Sequence, residues 1–302
     1  MRATRAVTIS PEPDEFAVLP VWQPIAAQIG IMAVAALAIV LATELLGLRF
    51  EGVVRRALSL ALALLPLLLW LLLSALPESR FARPRDRLLG IAALSGLCAS
   101  AVGLPLIEDF YQIGQWLPLG SVIQRIIGYT VTVGIVDVGI KFMILRFLAL
   151  PQSLRARSDA VAYAMAAAVG YSFTINLFSI WRLDPVWELA AIVALSNVAI
   201  QFASSMAMAL GIIASYFDNA FPSVLPLSLV VAALSTGLIA PQAPGLTSGP
   251  LGTAGNATRP LFGIAFLLAA LLLSLAVAYF LYRNAERRQR ETTPGRGAGR
   301  GA

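Results

Sequence analysis

Eight runs of about twenty apolar residues, separated by short polar segments, constrain this chain more than any other feature. A helix needs ~20 apolar residues to cross ~30 Å of hydrocarbon. In lipid a span must satisfy its backbone internally, which an open strand edge cannot do. The sequence therefore predicts an all-α, polytopic membrane bundle. The spans fall at Pro24–Leu46, Ala57–Leu76, Leu88–Ile107, Ile126–Leu150, Asp159–Trp181, Leu189–Tyr216, Phe221–Ala240 and Pro260–Tyr282. Pro66 stands in the middle of the second span, where the lost helix hydrogen bond predicts a kink. Segment 108–125 opens with Glu108-Asp109, continues apolar through Trp116, and reads as an interfacial or re-entrant stretch. Around the bundle, 24–282, lie a polar cytoplasmic segment, 1–23, and an Arg/Gly-rich cytoplasmic tail, 283–302, expected to be disordered.

Composition agrees with this class. Charged residues make up 13% of the chain and hydrophobic residues 59%, whereas soluble domains carry roughly 25% charge. The net charge of +6 does not imply a nucleic-acid partner, because the arginines sit in short loops and in the tail. There they act as topology signals. With the N-terminus inside, fourteen arginines fall on the inside: Arg2, Arg5, Arg80, Arg83, Arg85, Arg87, Arg155, Arg157, and six of the tail from Arg283 to Arg300. Five fall outside: Arg49, Arg55, Arg56, Arg182 and Arg259. The expected orientation is N-in and C-in, with loop 47–56 discordant. Lys141 is the single lysine, a bias that fits a GC-rich bacterial genome and hence a bacterial cytoplasmic membrane. Cys98 lies in an apolar run and implies no disulfide framework. The chain has no histidine, which limits its chemistry severely.

Charges within spans cost ~2.5–3.5 kcal/mol on insertion scales and need a reason. Asp137 and Lys141 lie four residues apart, acid first, on one helical face. Their spacing reads first as an internal ion pair and second as an ion relay or the remnant of an active site. Gly134 and Gly139 in the same span leave room for a neighbouring helix. Asn176, Asn197 and Gln201, with Ser204 and Ser205 nearby, read as interhelical hydrogen-bonding groups. Glu44 and Glu188 are expected at the interface. The sequon at Asn256 is a common chance triplet and idle in a bacterial chain, and the glycines of 245–255 read as an outside linker.

Two consecutive segments resemble the core of the PrsW-type intramembrane proteases, within the superfamily of CAAX-processing and bacteriocin-immunity proteases. The first family motif, Glu-Glu-x-x-Lys, aligns on Asp137-Val138-Gly139-Ile140-Lys141. The second aligns without a gap on Asp159 through Asn176: Asp159, Tyr163, Gly170 and Asn176 match, Tyr171 stands for the aromatic and Ser172 for the small residue after it. The resemblance covers about residues 120–220. The paired glutamates are replaced by Asp137 and Val138, the glutamate before the asparagine by Ile175, and the family's later histidines are missing. Asn197 or Gln201 falls near where one would be. The resemblance implies a metal cofactor, yet a catalytic zinc takes about three protein ligands, and this chain's spans supply essentially Asp137.

These departures point to a catalytically degenerate relative, a pseudoprotease without a cofactor, whose groove between spans four to six binds a transmembrane segment of another membrane protein. Two alternatives stand beside it. One is an active intramembrane metalloprotease using atypical residues. The other is a small transporter or channel in which Asp137 and Lys141 relay an ion; no inverted repeat supports it.

Overall fold

A computed structural model describes residues 21–79, 84–85, 87–117, 121–150, 153–218 and 221–240, and scattered residues between Ala269 and Arg283. Among the described residues every regular element is helical. Five helices are long and apolar enough to cross a membrane: α1 (Trp22–Leu46), α2 (Gly52–Ser79), α3 (88–110), α6 (Arg157–Leu183) and α7 (Trp187–Phe217). A short helix α4 (Ile113–Trp116) follows α3, α5 runs over 122–148 and carries the intramembrane charges, and α8 (Val224–Ile239) is shorter at 16 residues. The described residues of the eighth expected span are helical. That span meets α1 where the rings of Trp22 and Tyr279 pack edge to face at 5.6 Å.

α6 and α7 form the centre. Their apolar stretches are 67% and 78% buried, against 22–39% in the other three long helices. The reason lies in small residues. α6 is alanine-rich from Ala160 to Ala168, and Gly170 approaches α3 so closely that a Cβ there would collide with the carbonyl of Ala92. Hydroxyls then stitch the same contact: Ser95 donates to the Ala167 carbonyl at 2.7 Å and Thr174 to the Gly96 carbonyl at 3.0 Å. Small residues and interhelical hydroxyl bonds are what hold helices together where the surrounding solvent is as apolar as the side chains. Gly134 of α5 and Gly211 of α7 make comparable close approaches to α8, at Ala233 and Ser228. Gly139, by contrast, faces open space.

Several expected boundaries are corrected. Helix α2 begins earlier and ends later than Ala57–Leu76, because the apolar run is flanked by residues that remain helical beyond it. Pro66 does not break it; the departure from α geometry is a π turn at Leu71–Ala75, just after the proline. The Pro66 carbonyl accepts from the buried amide of Gln28 at 2.9 Å, tying α1 to α2. The described residues of segment 108–125 divide among three elements. Helix α3 runs on through a π turn to Phe110, Gln112 takes a left-handed conformation (φ 48°) between α3 and α4, and α5 starts after Ser121. A capping box sets that start: Gln124 N–H donates to Ser121 Oγ, and Ser121 N–H to Gln124 Oε1. Arg283 is helical rather than part of the tail. Segment 1–20, loop 241–259 and the tail beyond Arg283 lie outside the described residues.

Charged side chains gather at the two ends of the bundle and link helices there. At one end Arg85 holds Glu78 and Asp159, and Arg157 pairs with Asp218. At the other, Arg55 and Arg56 meet Asp184, and Arg182 meets Glu108 at 2.6 Å. α6 is thus pinned by ion pairs at both of its ends.

Candidate functional site

Between these charged rims, α5, α6 and α7 enclose one polar cluster. Asp137 and Lys141 project from α5 and are both 0% exposed. Their charges face each other at 3.5 Å. The Lys141 ammonium spends its shorter bonds on α7, donating to Gln201 Oε1 at 2.7 Å and to Ser204 Oγ at 2.8 Å. Gln201 returns the other half of its amide, donating from Nε2 to Asp137 Oδ2 at 2.7 Å. One carboxamide therefore bridges both members of the ion pair, its carbonyl on the cation and its N–H on the anion. The ring of Tyr171, from α6, lies 5.7 Å from the ammonium, within cation–π range. Asp137 Oδ1 accepts no hydrogen bond among the described residues.

A second contact sits one turn away on the same face of α7. Asn197 donates from Nδ2 to Asn176 Oδ1 at 2.8 Å, joining α7 to α6. Asn197 and Gln201 are four residues apart, ~6 Å along the axis, so the two contacts form successive rungs. Both Asn176 and Asp137 are fully buried.

Residues of the second sequence motif divide between two places. Tyr171 and Asn176 reach the rungs. Asp159 lies twelve residues before Tyr171, ~18 Å along α6, at the charged rim. There its Oδ2 accepts from the backbone N–H of Arg155 and Ala156, both at 2.8 Å, and its Oδ1 from Arg85 Nε at 2.7 Å. Such a carboxylate caps the helix and complements its dipole. Tyr163, 2% exposed, belongs to the apolar cluster one turn further in. Gly170 serves the contact with Ala92 described above. Glu188 is in the first turn of α7 and half-buried; the side chain of Glu44 lies outside the described residues.

Two features were not legible beforehand. The Arg85–Glu78 contact, part of the rim that holds Asp159, joins residues seven apart in sequence, and only the pairing of unlike charges near a span end hinted at it. The π turns at Ala99–Gly103 and Thr130–Gly134 flank the cluster. Gly103 on the first faces the Tyr171 hydroxyl and Ile140.

Among the described residues, those of the Asp137 cluster do not fit a catalytic metal. Asp137 is a single carboxylate whose partner oxygen is already bonded, and an ammonium 3.5 Å away would repel a cation. No group of three His, Cys, Asp or Glu side chains converges among the described residues. Comparison with known proteins finds no matching family model, no similar curated protein and no similar solved structure.

Proposed function

We propose that this chain is a non-catalytic, PrsW-like multi-pass membrane protein, a pseudoprotease that acts by binding or regulating other membrane proteins. The observation that carries the reading is the state of Asp137: where the resemblance places a catalytic glutamate, this carboxylate is fully buried and held by Lys141 and Gln201. General acid–base work needs a group within reach of substrate or of one water. A carboxylate sealed at 0% exposure against its own counter-ion serves cohesion instead. The bundle has eight spans with both termini in the cytoplasm of a bacterium. The bias of fourteen inside arginines against five outside supports that orientation.

The partner is a transmembrane segment lying along the exposed side of α5, where Ile135, Met143 and Phe147 project outward beside the open Gly139. Photo-crosslinking groups at Met143 and Phe147, in cells expressing the full chain, test this. Specific adducts to a membrane protein of intact mass are expected, of the same mass in whatever Asp137→Ala protein folds. Absence of any adduct beyond lipid removes the binding role. Adducts to a shortened partner that become full-length in Asp137→Ala mean an active protease instead.

A further inference from the structure

Two polar atoms of the central cluster make no hydrogen bond among the described residues, and they are complementary. Asn176 Nδ2 is a donor with its N–H groups unspent, and Asp137 Oδ1 is an acceptor that has only the Lys141 ammonium nearby, at 3.5 Å. Both residues are 0% exposed. Turning the Asn176 amide over gives no relief. Its N–H would then face the Asn197 N–H that now donates to its oxygen at 2.8 Å. Buried polar groups left without a partner are costly, and such orphans are commonly met by an internal water.

The two groups belong to successive rungs on α7: Asn197 holds Asn176, and Gln201, one turn on, holds Asp137. The rungs are ~6 Å apart along the axis, too far for a direct bond. A water that accepts from an amide and donates to a carboxylate spans up to ~5.7 Å. Charge argues against an ion in its place. Asp137 and Lys141 already cancel, so an added cation would face the ammonium and an added anion the carboxylate. The occupant is therefore neutral, small, and able to accept and donate at once. We propose that one buried water bridges Asn176 Nδ2 to Asp137 Oδ1 and fastens α6 to α5. Two such partners meet the minimum that a buried water takes. The rungs then form one network, from Asn197 through Asn176, the water and Asp137 to Gln201, Lys141 and Ser204. Both residues that hold the water are sealed from the surface, so it reaches no substrate and acts as a structural link.

Magnetic resonance on the full-length protein tests this. The chain is deuterated, isotopically labelled at its asparagine amides, and placed in nanodiscs in ordinary water. The Asn176 amide signal is the one lost in Asn176→Leu. In a rotating-frame experiment, dipolar transfer and proton exchange have opposite signs. A dipolar cross-peak between the Asn176 amide and water is expected. The Asp137→Leu/Lys141→Met double variant buries no charge but removes the acceptor, and is expected to lose that cross-peak. An Asn176 amide with no dipolar water cross-peak in the wild-type protein overturns the site, and that spectrum decides even if the double variant does not fold. A cross-peak that persists in the folded double variant overturns the bridge to Asp137.

Discussion

Removing the Lys141 ammonium while keeping its stem, as in Lys141→Met, leaves Asp137 buried with only the Gln201 bond. Breaking one partner of a buried ion pair costs ~3–5 kcal/mol. Asp137→Leu strands the ammonium at similar cost, so two independent losses would sum to ~6–10 kcal/mol. The double variant buries no charge. What it leaves is Gln201 with both ends of its amide unmatched, and an orphaned buried polar group costs ~1–3 kcal/mol. The expected coupling is therefore about 3 kcal/mol or more, well beyond the ~0.6 kcal/mol typical of a neutral hydrogen bond between membrane helices. Reversible unfolding of the four proteins in mixed micelles, by titration with a denaturing detergent, measures the cycle. Adding Gln201→Leu to the double variant is expected to recover the remainder. A double variant as unstable as the sum of the singles would refute the claim that the two charges and the bridging amide act as one unit.

Two glycines five residues apart on α5 should behave oppositely. Gly134→Ala pushes a methyl into the Ala233 backbone, whereas Gly139→Ala meets open space and gains about 1 kcal/mol of helix propensity; thermal melts in detergent separate them. At the rim, Arg85→Ala leaves Glu78 and Asp159 without their shared cation, all three being about a tenth exposed, and should cost ~3–5 kcal/mol. The more exposed Arg182–Glu108 pair should be worth no more than ~0.2–1 kcal/mol in the same unfolding assay.

Hydropathy made the helices legible because apolar length is itself the condition for crossing a bilayer. Their ends were less so. α2 continues to Ser79 and α3 to Phe110 because helix formation does not stop where the apolar run does, and the left-handed residue after α3 is Gln112 where a glycine would be the usual signal. Within the site, the Asp137–Lys141 face followed from i,i+4 spacing alone. That Asn197 and Gln201 would bond across helices was also readable, since amides in a span must find partners. Which partners they find was not: Gln201 meets residues about sixty positions away in sequence, and only the packing of α5 on α7 decides that. Asp159 illustrates the reverse. The family resemblance set it beside Asp137, but it stands at the start of α6, ~18 Å along the axis from Tyr171, and its local geometry makes it a cap.

The central claim, that the buried core of α5, α6 and α7 holds the bundle together and does no peptide chemistry, meets its most direct test in a reconstituted cleavage assay. Purified full-length protein and its Asp137→Ala variant are placed in proteoliposomes with single-span substrates and supplied zinc, and products are read by mass spectrometry. The account predicts no cleavage that depends on Asp137. A product formed by the wild-type chain and missing with Asp137→Ala, from a variant that stays folded, would contradict it.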